Sequence, residues 1–204
     1  MNKLITILLG LLIFSDVYAA HKMEDNTSNK ACTDVQQPAR LYCAPAPNAQ
    51  FDAQGKLWIV WSYAGHIYVT SSDDNGISLN DSVVVNRIPE KISAHGENRP
   101  KIVVDNKGKI YLSWTTPLKK RYTGNIRFSY SEDGGKNFST PVTVNDNLDI
   151  TGHRFDALAV NKQGTIFMAW LDKRERFKAR QKGIEYIGAA LYYSFSTDGG
   201  KTFA

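Results

Sequence analysis

Asp105-Asn-Lys-Gly108-Lys-Ile-Tyr-Leu-Ser-Trp114 and Ser131-Glu-Asp133-Gly-Gly135-Lys-Asn-Phe138 decide how this chain folds, because both stretches are written again on either side. The first recurs as Asp52-Ala-Gln-Gly55-Lys-Leu-Trp-Ile-Val-Trp61 and as Asn161-Lys-Gln-Gly164-Thr-Ile-Phe-Met-Ala-Trp170. Each copy is a polar turn with Gly in fourth place, followed by an apolar strand that ends in Trp. The second recurs as Ser196-Thr-Asp198-Gly-Gly200-Lys-Thr-Phe203, and more weakly as Ser72-Asp-Asp74-Asn-Gly76-Ile-Ser-Leu79, where Leu takes the aromatic place. The two signatures keep phase, with Trp61, Trp114 and Trp170 spaced 53 and 56 residues apart. A period of this size is the mark of a repeat architecture.

The chemistry of both signatures is local. Gly supplies the positive φ of a tight turn. Ser and Asp side chains bond the backbone of such a turn, so Asp74, Asp133 and Asp198 read as turn fasteners. Between the turns the middle repeat reads as four strands: 101–105, 109–114, 125–131 with Ile126, Phe128 and Tyr130 alternating, and 140–144. Four-stranded units at this period are propeller blades, and one blade cannot bury both its faces alone. The expected fold is all-β: about three four-stranded blades at 49–86, 99–146 and 154–204, the last incomplete.

The Ser-x-Asp-x-Gly-x-x-Phe element resembles the Asp box, or bacterial neuraminidase repeat. The chain from 49 to 204 thereby resembles the sialidase-like β-propellers, in an exported bacterial member that is apparently truncated. The resemblance implies an exo-α-sialidase type of glycoside hydrolase, or a non-catalytic relative binding an anionic glycan or protein partner. It implies no cofactor. Such an enzyme holds a sugar carboxylate with three arginines, and uses a Tyr nucleophile with a Glu and an Asp acid/base, unlike the usual two-carboxylate scheme. Arg87-Ile88-Pro89 matches the letters of the first arginine motif but is misplaced between blades. Arg154-Phe155-Asp156 is better placed at the start of a blade, Arg99-Pro100 opens another, and Arg174 follows the Trp170 strand with Asp172 before it. Arg154, Arg174, Asp156, Asp172, Arg99 and Arg87 are therefore the ligand-binding candidates, and no catalytic residue is assigned. Glu185 and Tyr186 are adjacent, so on a strand they would point to opposite faces. The family's six-bladed closure implies missing blades or a second chain, and that this stretch alone does not hydrolyse.

Blade topology puts the Gly turns and Asp boxes on one face and the other loops on the opposite one. The loops from Trp to Asp-box Ser grow through 11, 17 and 26 residues. They also gather charge: 118–122 adds Lys119, Lys120 and Arg121, and 172–186 carries six basic and three acidic residues. Arginine there suits a carboxylate, sulfate or phosphate ligand, and the alternative is a solvated charged loop. An acidic glycan or another anion is the expected partner. Nucleic acid is not, since no basic run is interleaved with stacking aromatics.

Of the 204 residues, 25 are basic and 20 acidic, a mild excess of +5; 42% are hydrophobic and 11% aromatic, which excludes a largely disordered chain. Residues 1–20 read as a signal peptide, with Lys3, an apolar run from Leu4 to Phe14 and small residues at Ala19 and Ala20. The run is short for a membrane span, so a secreted or periplasmic protein is expected. Residues 21–48 form a lead-in whose Cys32 and Cys43 could pair in an oxidising compartment. His66, His95 and His153 share no ligand spacing, and no metal site is expected.

Overall fold

The computed structural model describes Cys43, Ala44 and residues 46–204. The expected signal peptide and Cys32, with its pairing to Cys43, lie outside the described residues.

Three antiparallel sheets follow one another along the chain. The first is β1 (Asn48–Phe51), β2 (Leu57–Tyr63), β3 (His66–Ser72) and β4 (Val83–Val84), paired in chain order. The second repeats this order with β5 (Lys101–Val104), β6 (Ile110–Pro117), β7 (Gly124–Ser131) and β8 (Val142–Thr143). The third contains β9 (His153–Val160), β10 (Ile166–Asp172) and β11 (Ala190–Ser196). In the place of a fourth strand, Ala204 exchanges two backbone hydrogen bonds with Phe195, at 3.0 and 3.2 Å. Asn80 and Ser139 donate to Ser71 and Tyr130 at the equivalent points of the other sheets.

The central strand of each sheet reads as continuously apolar because both faces are covered. On β6, Ile110, Leu112 and Trp114 pack against Trp58, Val60, Ile67 and Val69 of the first sheet. Tyr111 turns the other way, with Ile126 and Phe128 of β7, onto Ile166, Met168 and Trp170 of the third. The recurrent Trp61, Trp114 and Trp170 are all fully buried. First strands of consecutive sheets meet side by side. Gln50 of β1 donates to the Val104 carbonyl of β5 at 3.3 Å and accepts from the Val104 N–H at 3.2 Å.

The outward face of the third sheet is apolar and open. Phe167, Leu191, Tyr193 and Phe195 are 43%, 70%, 63% and 43% exposed. By strand register they stand where Tyr111, Ile126, Phe128 and Tyr130 stand in the second sheet, where the next blade covers them.

One expectation needs correcting. The third long loop contains a helix, α1 (Arg174–Gln181), so the chain is not wholly β. The segment Arg-Glu-Arg-Phe-Lys-Ala-Arg-Gln consists mostly of strong helix formers. Glu175 lies in the first turn and Lys178 and Arg180 in the last, each favourable to the helix dipole.

Candidate functional site

The Asp boxes are built alike. Ser131 Oγ donates to Asp133 Oδ1 at 2.9 Å and accepts from the Gly135 N–H at 2.9 Å. Asn137 then gives its N–H to Asp133 Oδ1 and its amide to Oδ2. Ser72, Asp74 and Ser78 repeat the pattern, as do Ser196, Asp198 and Thr202. The donors favour the carboxylate form. Ser78 and then Ser72 hold Asp74 down to about 2, and Asn137 and then Ser131 do the same for Asp133. Thr202, then Ser196, holds Asp198 well below the usual carboxylate range.

The box glycines have a second role. Gly76, Gly135 and Gly200 all have positive φ. A Cβ on Gly135 would sit 2.9 Å from Trp58 of the preceding blade, and one on Gly200 would run into Phe128. Phe203 meets Phe128 edge-on at 5.0 Å. Phe138 packs into the first inter-blade core, whereas Leu79 of the weaker box is 45% exposed. All eleven box residues are thus committed to turns and packing.

A further repeated clamp was legible but unread. Asn86 and Asn145 each lie 14 residues after a box serine, in Val-Val-Val-Asn86 and Val-Thr-Val-Asn145. Both are buried, and their side-chain oxygens accept from the N–H of Ile67 at 2.6 Å and of Ile126 at 2.8 Å.

The opposite face is assembled from unique, long-range contacts. Glu90 accepts from Trp114 Nε1 at 3.1 Å and from Arg127 at 2.9 and 3.2 Å. On β9, register slips between Ala169 and Leu171, so Phe155 and Asp156 form a bulge opposite Trp170. Phe155 has φ 59 and its N–H is held by Asn98 Oδ1 at 3.0 Å.

The bulge separates its neighbours. Asp156 is buried against β6, where Ser113 Oγ donates to its Oδ2, and burial pushes its carboxyl up from the ordinary value. Arg154 turns outward, 4.9 Å over the Phe155 ring and 5.7 Å over Tyr122, and gives one N–H to His95 Nε2 at 3.4 Å. It makes no ion pair among the described residues. Arg154 and Asp156 therefore do not pair.

Arg174 and Asp172 do come together, but as framework. Arg174 Nε donates to Asp172 Oδ2 at 2.9 Å, and its two terminal nitrogens grip Asp146 at 2.8 and 2.5 Å. The guanidinium stacks 4.1 Å from the Tyr192 ring. The hydrogen bonds it donates to Asp146, and then to Asp172, raise its pKa further. Trp170 Nε1 also donates to Asp172, at 3.1 Å. Fully buried His153 gives its Nδ1–H to the Gly124 carbonyl at 2.8 Å and sets Nε2 3.4 Å from the Asp172 carboxylate.

Arg99 sits beside Glu97 at 3.7 Å, and Arg87 is exposed with no ion pair among the described residues. Glu185 and Tyr186 are both exposed. A Tyr–Glu pair that sequence reading missed is Tyr192 with Glu175, at 2.9 Å. Tyr192 donates that hydrogen bond to the Glu175 carboxylate, which raises the Tyr192 pKa above the ordinary phenol value. His66, His95 and His153 do not converge, and among the described residues no cluster of three His, Cys, Asp or Glu is placed to hold a metal ion. Among the same residues no helix is long and apolar enough to cross a membrane.

Next to Arg154, beyond Tyr122, lies a depression of about 230 Å³ between the β6–β7 loop and α1. Lys120, Arg121, Lys173, Arg176 and Arg180 line it, with Phe177 and Ile150. The basic loops flagged by sequence thus meet in space.

No protein-family profile and no curated protein matches the sequence. Solved structures do resemble the fold. An α-L-arabinofuranosidase from Fusarium graminearum is 14% identical with TM-score 0.55, matching 78% of this chain and 46% of its own. An α-L-arabinanase from Penicillium chrysogenum is 15% identical with TM-score 0.54, over 81% and 49%. A protein of unknown function from Dyadobacter fermentans is 16% identical with TM-score 0.52, over 82% and 52%. The chain spans about half the length of each. At such identities the likeness speaks to fold alone, and that fold is a β-propeller.

Proposed function

We propose that this chain is the blade-bearing part of an exported β-propeller that binds an acidic sugar at the face opposite its Asp boxes. The observation that carries this reading is Arg154: a guanidinium at the start of an innermost strand, flanked by Phe155 and Tyr122, with no ion pair among the described residues. Its planar fork matches a carboxylate or sulfate, and the two rings offer apolar faces to a sugar ring. The arabinanase structure that the fold resembles is complexed with arabinobiose, which supports a carbohydrate as the ligand class.

The sialidase-like reading adds hydrolysis of a terminal sialic acid. Binding without turnover fits these residues better, because Arg174 is occupied by two carboxylates and is not open to a substrate. Calorimetric titration with glucuronic acid and sialic acid tests the reading. Binding is expected for an acidic sugar and not for arabinobiose, with about a tenfold or greater loss in Arg154→Ala, in line with the ~1.5–3 kcal/mol of a hydrogen bond to a charged group. No release from a fluorogenic sialoside is expected. Equal binding of neutral and acidic sugars, or an Arg154→Ala protein that binds as well as the parent, would overturn it.

A further inference from the structure

We propose that the groove between the β6–β7 loop and α1 binds an internal stretch of an acidic polysaccharide, laid across the second and third blades. The proposal rests on the glycan reading above and adds the length of the ligand and the residues that hold it.

The cations around the groove divide into paired and unpaired ones. On α1 and the residue before it, Arg174 is tied to Asp146 and Asp172, and Lys178 to Glu175. Lys173, Arg176 and Arg180 make no ion pair among the described residues. With Phe177 they fall at helical spacings of three and four, on one side of the helix, and all four line the groove. Arg174 is satisfied by Asp146 and Asp172 outside the helix and Lys178 by Glu175 within it, while the other side carries three cations without ion pairs into the groove. Lys120 and Arg121 face them from the β6–β7 loop, also without an ion pair among the described residues.

A neighbouring depression of about 570 Å³ shares Lys120, Ile150, Thr151 and Phe177 with the first. The two depressions adjoin along these four residues, and a chain laid over both would contact each in turn. Asp149 on the far side is the one carboxylate along the groove. Phe177, Tyr122 and Ile150 are 47%, 52% and 55% exposed, giving apolar contact for sugar faces between the charges. Tyr122 is held at φ 64 by a loop in which Thr123 bonds the Lys120 carbonyl through both its N–H and its hydroxyl. Because the Tyr122 ring also stands beside Arg154, the groove extends that site. Two exposed rings do not make the succession of stacking platforms that a single-stranded nucleic acid uses.

The test titrates the full chain with galacturonic acid, hexagalacturonate, a neutral arabinohexaose and a six-nucleotide single-stranded DNA. Hexagalacturonate is expected to bind roughly tenfold or more tighter than the monomer, since several charges are engaged at once. The gain should shrink as salt is raised. The double variant Arg176→Glu/Arg180→Glu, at exposed positions, should remove the gain while leaving monomer binding unchanged, which also shows that the variant is folded. Arg154→Ala should weaken monomer and hexamer alike. A hexamer no tighter than the monomer, or one indifferent to the charge reversal, overturns the groove but not the Arg154 site. A charge-sensitive hexamer that ignores Arg154→Ala keeps the groove and overturns that site. DNA binding as tight as hexagalacturonate overturns the glycan as ligand.

Discussion

The two faces of these blades are fastened by different means. On the Asp-box face the hydrogen bonds of each box reach only a few residues: Ser131 to Asp133 and Gly135, Asp133 to Asn137. On the opposite face the fasteners span blades. Arg174 reaches 28 residues to Asp146, Arg127 reaches 37 to Glu90, and Phe155 reaches 57 to Asn98. Short-range bonds serve every copy of a repeat identically and so leave no room for individuality. Long-range ones need complementary partners at particular places, and they leave neighbouring groups free to differ. That freedom is where Arg154 and the basic groove arise, as loops on a rigid scaffold generally carry binding.

Three sets of variants test the difference between the faces. The largest belongs to Arg174→Ala, which strips fully buried Asp172 of its cation and should cost about 3–5 kcal/mol in denaturant unfolding. Asp146→Ala removes the exposed partner of the same arginine and should cost no more than about 1 kcal/mol. Equal costs would mean that the inter-blade pair with Asp146 contributes as much to stability as the buried pair with Asp172 inside the third blade.

Next comes Gly200→Ala. Left-handed strain of about 1–2 kcal/mol adds to an overpacking cost of about 1–3 kcal/mol against Phe128. Gly164→Ala carries only the strain, because a Cβ there meets nothing within 4 Å. If the two variants melt together, the box glycine is a turn residue and not a packing residue.

The smallest effect separates two kinds of aspartate by pH. Asp74 and Asp133 titrate near 2 in the folded chain, below their ordinary 3.8. Their contribution is present above the ordinary value and is lost as pH falls from about 4 towards 2. Asp156 has the opposite sign. Its folded pKa is raised by burial, so ionising it opposes folding as pH rises. Asp156→Asn should therefore raise the melting temperature at pH 7, by an amount that shrinks on acidification, while Asp133→Asn lowers it at pH 7. A parallel response of the two variants would show that their surroundings do not differ as described.

The repeated turns were readable from residue order because each is complete within eight residues and its chemistry is backbone chemistry. The Asn86 and Asn145 clamps were readable too, by their common interval from the box serine, although nothing in one copy alone distinguishes them from surface asparagines. Helix α1 was hidden because a charged stretch of helix formers reads equally as a solvated loop. Arg154, Arg174, Asp156 and Asp172 were singled out together by position along the chain. Their surroundings then diverged: one guanidinium open to a ligand, one locked between carboxylates, one carboxyl buried and raised.

Residue order alone encodes the blade: four strands, a glycine turn, a serine–aspartate corner and a buried tryptophan, since all of these follow from near neighbours and alternation. Which charges are paired and which are free is settled by the packing of one blade on the next. Asp146 meets Arg174, and Lys120 comes to face Arg176, through the stacking of one sheet on the next, and no spacing along the chain encodes how two blades turn their loops towards each other.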